Sequence, residues 1–336
     1  MRKVKVGYQL DFRNPPGSGR DFASLYASML SQAELAEQLG FDSIWLTEHH
    51  FTDDGYLPSM LPAAAAIAAR TRRVTIGTYV LLAPFQHPVK LAEDAAVVDV
   101  ISGGRLRLGI GLGYRQEEFD GFGVPRRERL GRTLETLDIL RRAWTGERFS
   151  FKGKYFDLKD VRVLPRPASS PHPELLWGAG APQAIRRAAK LDLSFACVGG
   201  RKEIGIYVDA LKALGKDPAR YSIVNSRVVY IADSEEQAWA GTRAALLYQA
   251  ELYGKWLSAA AGTNDQSRVL IRPDADRLRR TSVLGPPDYV RGRISEILDT
   301  TPMTELIIVM QLPGLDPAKG CKSLERFGKE VLPHIK

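Results

Sequence analysis

Hydrophobic and polar positions along the chain alternate between short apolar runs and longer stretches of helical period, from one end to the other. Eight runs read as strands: KVGYQL, SIWLT, VTIGTYVLL, RLRLGIGLG, ELLWGA, LSFACV, SIVNSRVVYIA and ELIIVMQL. Most are apolar at nearly every position, the pattern of strands covered on both faces. Helical periodicity lies between them, over Ser24 to Leu39, Pro58 to Arg70, Pro88 to Ile101, Arg126 to Trp144, Pro182 to Leu191, Lys202 to Leu214, Glu235 to Tyr253 and Asp288 to Leu298. Gly40 follows the first of these, Pro88 starts the third, and Gly103 with Gly104 ends it, all in helix-terminating or helix-starting roles. Repeated βα units in a chain of 336 residues predict an α/β fold, a (β/α)8 TIM barrel forming a single domain over residues 1–336. Two segments exceed the usual connection length, residues 146–173 and residues 254–286. Neither holds enough apolar residues for a core of its own, so both are expected to be insertions on the barrel.

Composition narrows the setting. With 44% hydrophobic residues the chain can build a sizeable core. No run approaches the roughly 18 apolar residues of a membrane span, and the basic N-terminus MRKVKVGYQLDF lacks the apolar stretch of a leader, so no membrane association is expected. Cys197 and Cys321 lie far apart without C-x-x-C spacing, which suits a reducing cytoplasm and suggests neither a disulfide framework nor a structural zinc site. The net charge of +8 is concentrated partly between Arg126 and Arg166, and without interleaved aromatics it reads as a solvated face, not a nucleic-acid site.

In a TIM barrel the chemistry sits at the C-terminal ends of the strands. Five loops at such ends are polar, aromatic or glycine-rich: EHHFTDDG, LLAPFQHP, GIGLGYRQEEF, GAGAPQA and MQLPGLD. The first spends two of only five histidines side by side. Successive side chains of an extended strand end point to opposite sides, so His49 and His50 are expected to serve different surroundings. For the same reason a metal site built from Glu48, His49, His50 and His87 is not expected, nor is there a His-x-x-x-His spacing. Gly109, Gly111 and Gly113 follow G-x-G-x-G in mid-chain, which is not the dinucleotide fingerprint. GAGAPQA puts glycines and a proline where a strand gives way to a helix, a geometry that attracts anions. Tyr8, Phe12, Tyr79 and Trp177 suggest an aromatic-lined substrate pocket.

These stretches, densest in LGFDSIWLTEHHF and in VTIGTYVLLAPFQHPVKLAEDAAVVDVISGGRLRLGIGLGYRQEEFDGFG, resemble the bacterial luciferase-like flavin-dependent monooxygenases over nearly the whole chain. The resemblance implies an enzyme that binds reduced FMN, supplied by a separate flavin reductase, and uses dioxygen through a flavin peroxide to oxygenate a small organic substrate. It implies cofactor contacts at Thr78, Tyr79, Gly111, Leu112, Gly178, Gly180, Ala181 and Gln183, with His49 as the catalytic residue facing the flavin. Gly111 and Leu112 stand where bacterial luciferase has a reactive cysteine and an arginine, so a light-emitting luciferase is not expected. The segment 254–286 matches the family's mobile active-site loop, and its Arg268, Arg272, Arg277, Arg279 and Arg280 are either anion contacts or solvated charges. His50 matches a residue at a subunit interface, facing Glu93 of a second chain.

A homodimer through residues 58–101 is also expected from the residues themselves. PSMLPAAAAIAARTRR and HPVKLAEDAAVVDVIS carry small or apolar residues on both helix faces, which implies a second burial surface, though alanine's helix propensity gives another reason for its abundance. Two alternatives to the monooxygenase remain, a deazaflavin-dependent hydride-transfer oxidoreductase on the same barrel and a noncatalytic flavin-binding subunit.

Overall fold

The computed structural model describes residues 4–260 and 274–336. Its strands are β1 (Lys5–Gln9), β2 (Ser43–Leu46), β3 (Thr75–Thr78), β4 (Leu81–Leu82), β5 (Leu106–Gly111), β6 (Phe149–Lys152), β7 (Asp157–Val161), β8 (Glu174–Ala179), β9 (Ser194–Cys197), β10 (Ile223–Ile231), β11 (Val283–Gly285) and β12 (Glu305–Val309). Eight of them form a closed ring of parallel pairs in the order β1, β2, β3, β5, β8, β9, β10, β12 and back to β1. The expected barrel is therefore present, and each of the eight apolar runs supplies one of its staves. β4 and β11 extend it at β5 and β10, while β6 and β7 make a separate antiparallel hairpin.

The helices are α1 (Phe22–Gln38), α2 (Met60–Arg70), α3 (Pro88–Ser102), α4 (Gln116–Gly121), α5 (Arg129–Ala143), α6 (Pro182–Lys190), α7 (Arg201–Ala213) and α8 (Glu235–Ala260), followed by helical segments Ala275–Thr281, Pro287–Thr300 and Pro317–Glu330. Local chemistry sets several ends. The Asp21 carboxylate accepts the Ser24 N–H at 2.8 Å to start α1, and Gly103 at φ 68° closes α3. Three helices go beyond the sequence expectation. α4 is too short for periodicity to reveal. Pro317–Glu330 buries Gly320, Ser323, Leu324, Phe327 and Gly328, a stripe too rich in small residues to register as apolar, although Asp316 and Pro317 mark its start. The third is Ala275–Thr281, which lies with the extra turns of α8 in the predicted insertion; α8 runs past Tyr253 to Ala260. Arg268 and Arg272 lie outside the described residues.

Strand alternation sends Trp45, Leu176, Ala196, Val224 and Ile307 into the barrel interior. Gly77 makes room for Trp45, since a Cβ there would lie 2.3 Å from the indole. Toward the strand N-termini the interior becomes ionic. Arg107 Nε donates to Glu174 at 2.7 Å, its Nη1 donates to Glu305, and its guanidinium lies 4.9 Å above the Trp45 ring. Ser43 and Trp45 also donate to Glu305, and Ser194 donates to Glu174 at 2.7 Å.

The 146–173 excursion is pinned from two sides. Glu135 on α5 accepts the N–H groups of Lys154, Tyr155 and Phe156 at 2.7, 3.0 and 3.1 Å, and Asp99 on α3 accepts the Ser169 N–H at 2.7 Å. No helix among the described residues is long and apolar enough to cross a membrane.

Candidate active site

As β2 leaves the barrel, the two histidines part as alternation requires. His49 turns toward Tyr56, Tyr114, Tyr253 and Trp256, whose rings stand 4.9, 5.6, 5.9 and 4.7 Å from its own. His50 packs against Phe85 and Phe122 at 5.9 and 4.7 Å, and its Nε2 lies 2.8 Å from Glu48 Oε1. His50 thus has a partner within its own chain, while Glu93 sits half-buried on α3. His87 is apart from both, edge-on to Phe156 at 6.0 Å.

Glu118, on α4, organises the histidine pair. Its Oε1 lies 2.8 Å from His49 Nδ1, accepts the His50 N–H at 3.0 Å and meets Arg115 Nη1 at 3.4 Å. Arg115 Nη1 also donates to the His50 carbonyl at 2.7 Å, and its guanidinium stacks 4.2 Å over Trp256. Burial works to raise the Glu118 carboxyl, but hydrogen bonds from His49 and the His50 N–H, with the charge of Arg115, outweigh it and hold the group below the ordinary carboxylate range. Burial pushes the His49 imidazole below its usual value, and the pull of Glu118 only partly offsets this. The direction that satisfies both is an ionised Glu118 and a neutral His49, because a 6% exposed imidazole is costly to charge whereas the carboxylate already has donors. A carboxylate can only accept, so Nδ1 carries the proton and Nε2 presents its lone pair, 3.5 Å from the Tyr114 hydroxyl. Burial raises the Glu48 carboxyl above its ordinary range.

The remaining expected residues divide. Thr78 donates to the Gly109 carbonyl at 2.7 Å, and Tyr79 donates to the Cys197 carbonyl. Beside Gly111 and Gly178 the structure sets Val80: a Cβ on either glycine would fall 2.5 or 2.8 Å from it, so these glycines admit Val80 as well as keeping a flat wall. Leu112 packs half-buried on the main core. Gly180, Ala181 and Gln183 are exposed at the start of α6, where Pro182 takes the first turn and no side chain caps the helix. Tyr8 and Trp177 occupy outward-facing strand positions in the helix-packed core; Tyr8 donates to Gln32 on α1 at 2.7 Å. Phe12 packs edge-on to Tyr26. The aromatics that surround His49 are instead Tyr56, Tyr114, Tyr253 and Trp256. Glu118 was also missed, though GYRQEEF carries it in a quoted rim loop.

A flavin fits this rim by two observations. The uncapped α6 start leaves first-turn N–H groups free to meet a phosphate, and the wall formed by Gly109, Gly111 and Gly178 around half-buried Val80 carries no bulky projection. A recess of about 440 Å³ between Arg141, His172, Asp192 and Arg220 lies at the opposite end, away from the strand C-termini where barrel chemistry assembles.

A closed parallel barrel with a buried histidine and carboxylate on its C-terminal rim defines a TIM-barrel enzyme. The chain matches the luciferase-like monooxygenase family over residues 4–304 and belongs to it. It is similar to the F420-dependent glucose-6-phosphate dehydrogenase of Amycolatopsis mediterranei, 29% identical over 99% of both chains. It is 26% identical to the oxygenase component of the flavin-dependent trigonelline monooxygenase of Acinetobacter baylyi, over 92% of this chain and 89% of that one. The crystal structure of the monooxygenase RslO1 from Streptomyces bottropensis superposes with a TM-score of 0.83 at 28% identity, covering 99% of this chain and 100% of that one. The protein is thus an oxidoreductase of a family whose members use flavins or the deazaflavin F420.

Proposed function

We propose that this protein is the oxygenase component of a two-component system, taking reduced FMN from a separate flavin reductase and using dioxygen to oxygenate a small organic substrate. The observation that carries the reading is the buried His49, with Nδ1 2.8 Å from Glu118 and its ring caged by aromatic side chains. The α6 N-terminus, with Gly180, Ala181 and Gln183, holds the phosphate; Thr78, Tyr79, Gly111, Leu112 and Gly178 form the wall for the ring system. When bound, the reduced flavin supplies the electrons that activate dioxygen. His49 Nε2 accepts and returns a proton at the reacting centre, Glu118 keeps the other nitrogen protonated, and Tyr56, Tyr253 and Trp256 exclude water. Of the expected active-site loop 254–286, residues 261–273 lie outside the described residues; on its described side Trp256 of α8 closes over His49.

The test is anaerobic titration with reduced FMN and, separately, reduced F420, followed by admission of dioxygen with candidate substrates. Tight binding of FMN and flavin-dependent product support the reading. Tight binding of F420 alone, with hydride transfer and no oxygen uptake, overturns it in favour of the deazaflavin reaction.

A homodimer through residues 58–101 belongs to the same proposal. Val97, Val100 and Ile101 form an exposed apolar stripe on α3, 43%, 45% and 48% accessible. In this arrangement Glu93 approaches the His50–Glu48 pair of the other chain. Light scattering near 37.2 kDa, not twice that, would refute the dimer.

A further inference from the structure

The loop after β1 carries a buried ion pair. Arg13 Nε donates to Asp11 Oδ1 and Oδ2 at 2.8 and 3.0 Å, Nη2 donates to Oδ2 as well, and the Arg13 N–H donates to Oδ1 at 3.0 Å. Nη2 also donates to Gln249 on α8 at 3.0 Å, and the guanidinium lies 4.8 Å above the Tyr56 ring. Tyr56 is the ring edge-on to His49, and its hydroxyl is 2.9 Å from that of Tyr253. Arg13 therefore packs on Tyr56, one of the rings of the His49 cage. Of the five N–H groups of a guanidinium, Nε supplies one and Nη2 two. Nη1, with the remaining two, has no hydrogen-bond partner among the described residues, in a side chain only 2% exposed.

A buried, unused pair of donors next to a ring of the His49 cage has bonding capacity that a ligand can use. The surrounding charge selects what it recognises. Asp11, Asp54 and Glu118 are 4%, 1% and 0% exposed, against the two guanidinium groups of Arg13 and Arg115 at 3% and 5%. An anionic ligand would add to an excess of buried carboxylates, whereas a neutral oxygen acceptor satisfies both donors without adding charge. We propose that Arg13 Nη1 anchors the substrate by donating to an uncharged carbonyl oxygen, the rest of the molecule lying among Tyr56, Tyr114, Tyr253 and Trp256. The inference rests on the reading of this rim as the site for a small organic substrate, and it deepens that reading by naming the chemical class and the residue that selects it.

The test uses the full chain without flavin, reductase or dioxygen, so its result is independent of which cofactor the protein takes. Tryptophan fluorescence is titrated with three probes of matched size: acetophenone, ethylbenzene and benzoate. The wild-type chain is expected to bind acetophenone roughly tenfold or more tightly than either of the others. Arg13→Lys keeps a cation for Asp11 and removes the second nitrogen; acetophenone affinity should fall to that of ethylbenzene while ethylbenzene binding stays unchanged. If Arg13→Lys does not fold, the double variant Asp11→Asn, Arg13→Gln removes both charges together and is read in the same way. Retention of the acetophenone preference in the folded variant, or no preference in the wild type, overturns the proposal and leaves the two donors to water. Benzoate binding more tightly than acetophenone overturns the assignment of a neutral ligand. Failure of reduced FMN to bind, with the acetophenone preference intact, sinks the cofactor reading and leaves this one standing.

Discussion

The two ends of the barrel both bury ions, and they treat them differently. At the N-terminal end Arg107, Glu174 and Glu305 share a network in which Ser43, Trp45 and Ser194 fill the remaining hydrogen bonds. None of these side chains has a fully buried polar atom without a partner among the described residues, whereas at the C-terminal rim Arg13 Nη1, Arg115 Nε and Glu118 Oε2 all lack one there. A buried donor or acceptor left unmade costs roughly 1–3 kcal/mol, so the rim is held in a less satisfied state than the same fold achieves elsewhere. The closed end specifies the barrel, and the rim keeps bonding capacity in reserve for something that arrives.

The largest expected effect is at the closed end. Arg107→Met strands the buried Glu305 inside the barrel, with Glu174 a third exposed beside it, and should lower stability by about 3–5 kcal/mol in denaturant unfolding. A loss below about 1 kcal/mol would mean that the network is not what holds that end together. At the rim the effect moves from stability to rate. His49→Ala should lower oxygenation roughly 100-fold or more, with reduced-flavin affinity within about tenfold of wild type. Turnover equal to wild type would make His49 a structural residue and remove the contrast between the ends.

Glu118→Gln should cost roughly 10–100-fold in rate, the size typical of a group that orients another. Its pH profile separates orientation from mere folding. With His49 as the proposed neutral base, activity should decline as pH falls through its folded pKa, which burial sets below 6.5. Glu118 opposes that shift, so its removal should move the acid limb to still lower pH; a limb displaced upward would contradict the arrangement.

The smallest effect is on stability against pH. Because the folded chain holds His49 with a lowered pKa, the unfolded chain takes up the proton first as pH falls. The neutral imidazole's contribution is whole above pH 6.5 and is lost progressively below it, down to the folded value. His49→Gln should flatten this part of the melting-temperature profile between pH 7 and 5, and an unchanged slope would assign it to other groups.

The strand runs, their spacing and the rim loops determined the barrel from sequence alone, because run length and period are local properties of a chain that must cover both faces of every strand. The opposite fates of His49 and His50 were legible for the same reason, since alternation needs no partner. Which face of a strand looks inward was not legible. In β1 Lys5, Gly7 and Gln9 alternate with Val6, Tyr8 and Leu10, and in ELLWGA both faces carry apolar residues; neither pattern says which face looks into the barrel, and only closure of the ring turned Tyr8 and Trp177 outward against the helices. The partners of His49 also came from tertiary structure: Glu118 lies 69 positions away, Tyr253 stands at the predicted end of α8, and Trp256 is helical only because α8 extends beyond it. Spacing along a sequence fixes which residues share a face; which faces meet is decided by packing, and there a buried carboxylate on α4 met the histidine at the end of β2.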